Sequence, residues 1–183
     1  MTSRRPYPDT PSGPFPKPPV EVTDREDRDV TIRAYESGDH EKLVSMYVDF
    51  DPADRAQSIP PIGEERVRKW VDHLLGPESL NVVAVCESDV VGHATLVEDD
   101  DEGYELAIFV HQDFQGAGIG TKLLKTVLGY GEANGVEKVW LTVERWNRAA
   151  VGLYEKVGFE KTEDESFELE MAIRLSPGSA ASD

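Results

Sequence analysis

Cysteine is nearly missing from this chain: Cys86 is the only one in 183 residues. An intramolecular disulfide is therefore impossible, and a zinc site built on thiolates is excluded. The four histidines, His40, His73, His93 and His111, show no paired metal spacing, so no metal is expected. Long apolar runs are missing as well. Hydrophobic residues make up 39% of the chain, enough for a core, yet no run approaches the ~20 residues that cross a bilayer. The opening MTSRRPYPDT has two arginines with no apolar segment behind them, which does not read as a secretory signal. No membrane association is expected, and the compartment indicated is cytoplasmic. Bases are scarce: 19 Lys and Arg stand against 36 Asp and Glu, a net charge of −17. Such a surface repels phosphate backbones, so general nucleic-acid binding is not expected. The acids are spread along the whole chain, in EVTDREDRD, DDDEGYE and EKTEDESFELE, which fits halophilic adaptation better than one acidic binding face.

Proline and glycine are unevenly placed. Pro6, Pro8, Pro11, Pro14, Pro16, Pro18 and Pro19 crowd the start of the chain. Residues 1–28 therefore read as a disordered or loosely docked arm, and 176–183 as a second tail. Between them, over 29–175, strand and helix periodicities alternate. Strands are expected at Val30–Tyr35, in NVVAVCESDVVGHATLV with a turn at Glu87–Asp89, in GYELAIFVH, in VEKVWLTV, and over Phe167, Leu169, Met171, Ile173 and Leu175. Amphipathic helices are expected in SGDHEKLVSMYVDF with Asp39 as N-cap, EERVRKWVDHLL, GTKLLKTVLGYGEANG and NRAAVGLYEKVG. This order describes an α/β domain with a single sheet layer and helices on its faces.

The stretch QDFQGAGIGTKLL carries chemistry. Its three glycines precede a helix N-terminus, where unpaired N–H groups and the helix dipole favour an anion. The loop Gln115, Gly116, Ala117, Gly118, Ile119, Gly120 and Thr121 is thus a candidate diphosphate cradle. The Walker A frame fails because the order is Gly120-Thr121-Lys122, and the dinucleotide GxGxxG frame fails because its third glycine would be Thr121. The frame that fits is Gln/Arg-x-x-Gly-x-Gly/Ala, filled by Gln115, Gly118 and Gly120.

That loop resembles the acetyl-CoA loop of the GNAT superfamily, the GCN5-related N-acetyltransferases. About thirty residues on, WNRAAVGLYEKVGFE is similar to the family's Asn-x-x-Ala-x-x-x-Tyr-x-x-x-Gly-Phe signature through Asn147, Ala150, Tyr154, Gly158 and Phe159. Gln112 departs from the proline common in the family. The resemblance implies a mixed central sheet of about six to seven strands with helices on both faces. It implies acetyl-CoA as co-substrate and an amine acceptor, and it leaves a homodimer open. It implies that Phe109 or Val110 donates a backbone N–H to the oxyanion, that Asn147 caps its helix and touches the cofactor, and that Ala150 borders it. Tyr154 would protonate the leaving thiolate. Glu105 is the expected general base, with His111 and Glu144 as alternatives. The segment VDFDPADRAQSIPPIGEER, holding Asp49, Phe50, Asp51, Asp54, Arg55 and Gln57, would lie on the acceptor side. A non-catalytic acyl-CoA sensor is the alternative function.

Overall fold

The computed structural model describes residues 5–54, 59–99, 103–163 and 168–176. The described elements run β1 (Val20–Thr23), β2 (Asp29–Ala34), α1 (His40–Val48), α2 (Glu64–Leu74), β3 (Ser79–Cys86), β4 (Asp89–Glu98), β5 (Tyr104–Val110), α3 (Ile119–Ala133), β6 (Lys138–Glu144), α4 (Arg148–Val157), β7 (Glu160–Glu163) and β8 (Glu168–Arg174). The strands form one sheet ordered β1-β2-β3-β4-β5-β6-β8-β7. Neighbours are antiparallel except β5 and β6, which are parallel. Eight strands exceed the expected six to seven because the arm supplies β1 and two strands follow α4.

Side-chain alternation in the strands explains the layering. Val82 and Ala84 of β3 pack in a core with Leu123, Leu124, Val127 and Leu128 of α3 and with Val151 and Val157 of α4. Val83, between them, packs on the other face with Leu43 and Tyr47 of α1 and Val67 and Val71 of α2. Helices thus cover both faces. On the α1/α2 face lies a buried polar chain. The Tyr47 hydroxyl donates to His93 Nδ1 at 2.6 Å and His93 Nε2 donates to Asn81 Oδ1 at 2.7 Å. Burial drives the His93 pKa down to about 3, so the ring is neutral. Asp39 precedes α1, but its carboxylate pairs with Arg33 and accepts the Glu36 N–H instead of capping the helix.

Over residues 5–28 the arm is docked on the domain. Ser12 donates its N–H to the Arg174 carbonyl, and the Phe15 N–H reaches Glu132 Oε1 at 2.8 Å. β1 then pairs with β2, Val20 opposite Ile32 and Thr23 opposite Asp29. Phe167, expected in the last strand, lies outside the described residues, as do residues 177–183 of the tail. Among the described residues no helix is long and apolar enough to cross a membrane.

Candidate active site

The parallel pairing of β5 and β6 covers two positions, Tyr104 opposite Val139 and Glu105 opposite Trp140. Beyond them the strands part, and the wedge between them is a cleft of about 480 Å³. One wall is the length of β5 from Glu105 to Val110; the other is β6 from Leu141 to Glu144, with Asn147, Ala150 and Tyr154 behind it. A strand facing an open wedge leaves alternate backbone groups unpaired. The His111 N–H goes to the Val91 carbonyl of β4. By alternation the Phe109 N–H also points to β4, and the N–H groups of Ile108 and Val110 point into the cleft. Of the two oxyanion donors considered, the backbone geometry thus favours Val110. The Phe109 ring instead joins an aromatic cluster with Tyr47, Phe50 and Trp70, at centroid separations of 5.4, 6.2 and 5.3 Å.

At the far end of β5 the glycine loop turns into α3. Gly116 and Gly118 have φ of 73° and 93°, the left-handed region where a side chain is strained. Nothing lies within 4 Å of where a Gly116 Cβ would be, and at Gly120 the sole neighbour that close is Val110 Cγ2 at 3.9 Å. Packing within the chain therefore does not require glycine at Gly120, and the surface above it stays clear for an anion to approach the amides. Ala117 and Ile119 face the other way and are buried, while Thr121 is half-buried in the first turn of α3. The loop is held from behind. The Arg25 N–H donates to the Ala117 carbonyl at 3.0 Å, and its guanidinium donates to the Gly116 carbonyl at 3.3 Å. Arg28 donates to the Asp113 carbonyl at 3.0 Å and stacks 4.1 Å from the Phe114 ring centre. With loop carbonyls tied to the β1–β2 turn, the opposite side is left to N–H groups. Sequence reasoning missed both arginines, since DREDRD read as a charged run without periodicity.

Two glutamines fasten the acceptor-side segment to this loop. Gln112 donates to the Asp49 carbonyl at 2.8 Å and accepts the Asp51 N–H at 2.9 Å. Gln115 donates to the Val110 carbonyl at 2.9 Å and to Asp54 Oδ2 at 3.2 Å. Arg55 and Gln57 lie outside the described residues. Trp146, 76% exposed, also lines the cleft, a position that no pattern in the sequence singles out.

Glu105 and Tyr154 both line the cleft. Glu105 is open to solvent at its end of the wedge, yet the protein crowding its carboxyl raises its pKa; Arg5 pulls the value back and Asp99 adds a smaller upward push. Burial pushes the Tyr154 phenol up to about 12. Asn147 caps α4, its Oδ1 accepting the Ala150 N–H at 3.2 Å. Of the alternatives for the base, Glu144 lines the cleft. His111 does not: its Nε2 is 2.7 Å from Asp49 and it lines a separate pocket with Lys42 and Asp89. Among the described residues no group of three His, Cys, Asp or Glu side chains could hold a metal.

The sequence around this cleft was compared with models of known families. The model of the "Acetyltransferase (GNAT) family" aligns with residues 41–159, well over half of the chain. The chain belongs to the GNAT family. Among curated GNAT relatives, it is 40% identical over 73 residues to "Probable N-acetyltransferase camello" of Xenopus laevis, covering 40% of this chain and 33% of that one. It is 34% identical over 86 residues to "[Ribosomal protein bS18]-alanine N-acetyltransferase" of Salmonella typhimurium, covering 47% and 58%. The chain thus spans between a third and three fifths of these relatives' length. The GNAT domain of S. lividans PAT superposes with a TM-score of 0.74 over 86% of this chain and 97% of that one; at 15% identity the likeness is one of fold.

Proposed function

We propose that the protein transfers an acetyl group from acetyl-CoA to a primary amine in the β5–β6 cleft. The observation that carries this reading is the continuity of the wedge, which runs from Val110 and Gln115 beside the glycine loop to Glu105, with Tyr154 on the opposite wall. In this reading Gln115, Gly116, Ala117, Gly118, Ile119, Gly120 and Thr121 receive the diphosphate on backbone N–H groups, and Asn147 and Ala150 border the thiol-bearing arm. The amine acceptor must be neutral to attack, and a lysine-like amine with pKa ~10.4 is mostly protonated near neutrality. Glu105 takes that proton, directly or through one water; its raised pKa suits a base. As the amine nitrogen bonds to the carbonyl carbon, the Val110 N–H steadies the oxyanion. When the C–S bond breaks, Tyr154 donates its proton to the departing sulfur, the nitrogen gives up its second proton to the phenolate through water, and Glu105 releases to solvent the proton it took at the start.

The acidic composition fits a cytosolic protein working in strong salt, and acids on the segment from Asp49 to Asp54 fit a cationic amine. The name of the Salmonella relative puts a protein N-terminus among the acceptors to try, beside protein lysines, polyamines, amino acids and aminoglycosides. The test is release of free thiol from acetyl-CoA in high salt against a panel of such amines and a peptide library. Acceptor-dependent thiol release is expected. Tight acetyl-CoA binding with no thiol from any amine would instead make this a non-catalytic acyl-CoA sensor.

A further inference from the structure

One strand over from Glu105, on the same face of the sheet, the chain seats a cation of its own. The Arg5 guanidinium carbon lies 3.6 Å from the centre of the Trp140 ring. Its Nη1 is 3.4 Å from Asp99 Oδ2, and its Nε is 3.0 Å from Glu170 Oε1. The same Asp99 oxygen accepts the Trp140 indole N–H at 2.7 Å, which fixes the ring under the cation. An indole face flanked by two carboxylates is a receptor for a guanidinium or an ammonium group. The domain supplies these three walls, and the arm supplies the occupant together with Tyr7, whose phenol lies beside the guanidinium. Trp140 is the register partner of Glu105 and sits two residues before Thr142, which lines the cleft. The cage therefore opens on the same sheet face as the expected base, one strand away.

The arm is fastened unevenly. From Ser12 onward it is held by backbone bonds to Arg174 and Ser176 and by the Phe15–Glu132 contact. Nearer its start, Arg5 holds through the cage, Arg174 donates to the Pro8 carbonyl at 2.7 Å, and Lys138 lies 5.5 Å from the Tyr7 ring centre. Arg5 can leave the cage without unpairing Ser12 or β1.

We propose that Trp140, Asp99 and Glu170 form a cation subsite of the acceptor site, and that Arg5 occupies it as a competitor for basic acceptors. The acceptor class is then an amine carrying a second positive group, guanidinium or ammonium, close to the nitrogen that reacts. The link to acceptors rests on the acetyltransfer reading above; the cage and its occupant do not.

The test uses the full chain and two probes without a reactive amine, Nα-acetyl-argininamide and its neutral isostere Nα-acetyl-citrullinamide. Binding is read from the Trp140 indole N–H signal by NMR, assigned with Trp140→Phe. About 0.5 M KCl screens the overall negative charge. In an Arg4→Ala/Arg5→Ala variant, which also removes the adjacent arginine of the sequence, the arginine probe should shift that signal at concentrations at least tenfold lower than in the unaltered chain. The citrulline probe should not shift it. Adding Asp99→Asn should abolish the gain. Equal responses from both proteins, equal responses to both probes, or a gain that survives Asp99→Asn would overturn the proposal. Thiol release from acetyl-CoA is followed separately with dibasic peptides. Its absence with every acceptor sinks the acetyltransfer reading, whereas the Trp140 titration decides the cage.

Discussion

Glu105 and Tyr154 face one cleft from different elements, and each makes a distinct kinetic expectation. Only the carboxylate form of Glu105 accepts a proton, so the rate should climb with pH through the pKa of that group. Because the pKa is raised, the climb lies above the ordinary value of 4.5. Glu105→Gln should lower kcat/KM by about 10²-fold and remove that climb; a pH–rate profile of unchanged shape would clear Glu105 of the role. Tyr154, with its pKa at about 12, stays protonated across the neutral range and is ready to donate. Tyr154→Phe should therefore reduce kcat by about 10²-fold while acetyl-CoA affinity, read by calorimetry, stays constant. Equal turnover would remove the acid role. The sequence named both residues but left open whether the Phe109 or the Val110 N–H faces the cleft. Alternation shows which residues share a side; it does not show which side faces β4. That needed the pairing of His111 with Val91.

Helix α3 was legible from its apolar stripe, and its start from the glycine loop. Gly129 in its interior was not explained, because a mid-helix glycine costs about 1 kcal/mol against alanine. The docked arm supplies the reason: a Cβ on Gly129 would collide with the Pro16 carbonyl. Gly129→Ala should consequently destabilise the protein by about 1–3 kcal/mol, against the helix propensity. It should also expose residues 5–19 to protease. A raised melting temperature with an uncut arm would show that this contact is absent in solution. The arm read as disordered or loosely docked because proline removes donors and breaks periodicity. Its order comes from surfaces far along the chain, as in the Phe15–Glu132 contact across 117 residues.

A net charge of −17 acts on the fold as a whole. Like-charge repulsion opposes compaction, and salt weakens it as the Debye length falls from about 10 Å at 0.1 M to about 3 Å at 1 M. The melting temperature should rise over that range of KCl; a flat or falling one would mean that the acids are individually neutralised by local partners. Some are paired in this way, Asp24 with Arg28 and Asp39 with Arg33. The sheet divides the molecule into two cores, and the cleft opens where one parallel pair parts.

Helix and strand periodicity, the glycine frame and the Asn147–Phe159 signature were all legible in the sequence, because each is written within a few neighbouring residues. The eighth strand, the Arg25 and Arg28 props behind the loop, the orientation of the Val110 amide and the seating of Arg5 on Trp140 were not. Each of these depends on which distant segments meet: Arg25 reaches Gly116 across 91 residues, and Arg174 reaches Pro8 across 166. Local pattern sets what a segment becomes. Its partner in space, chosen by strand pairing and by surfaces that exist only once the sheet has formed, sets what its polar groups are free to do.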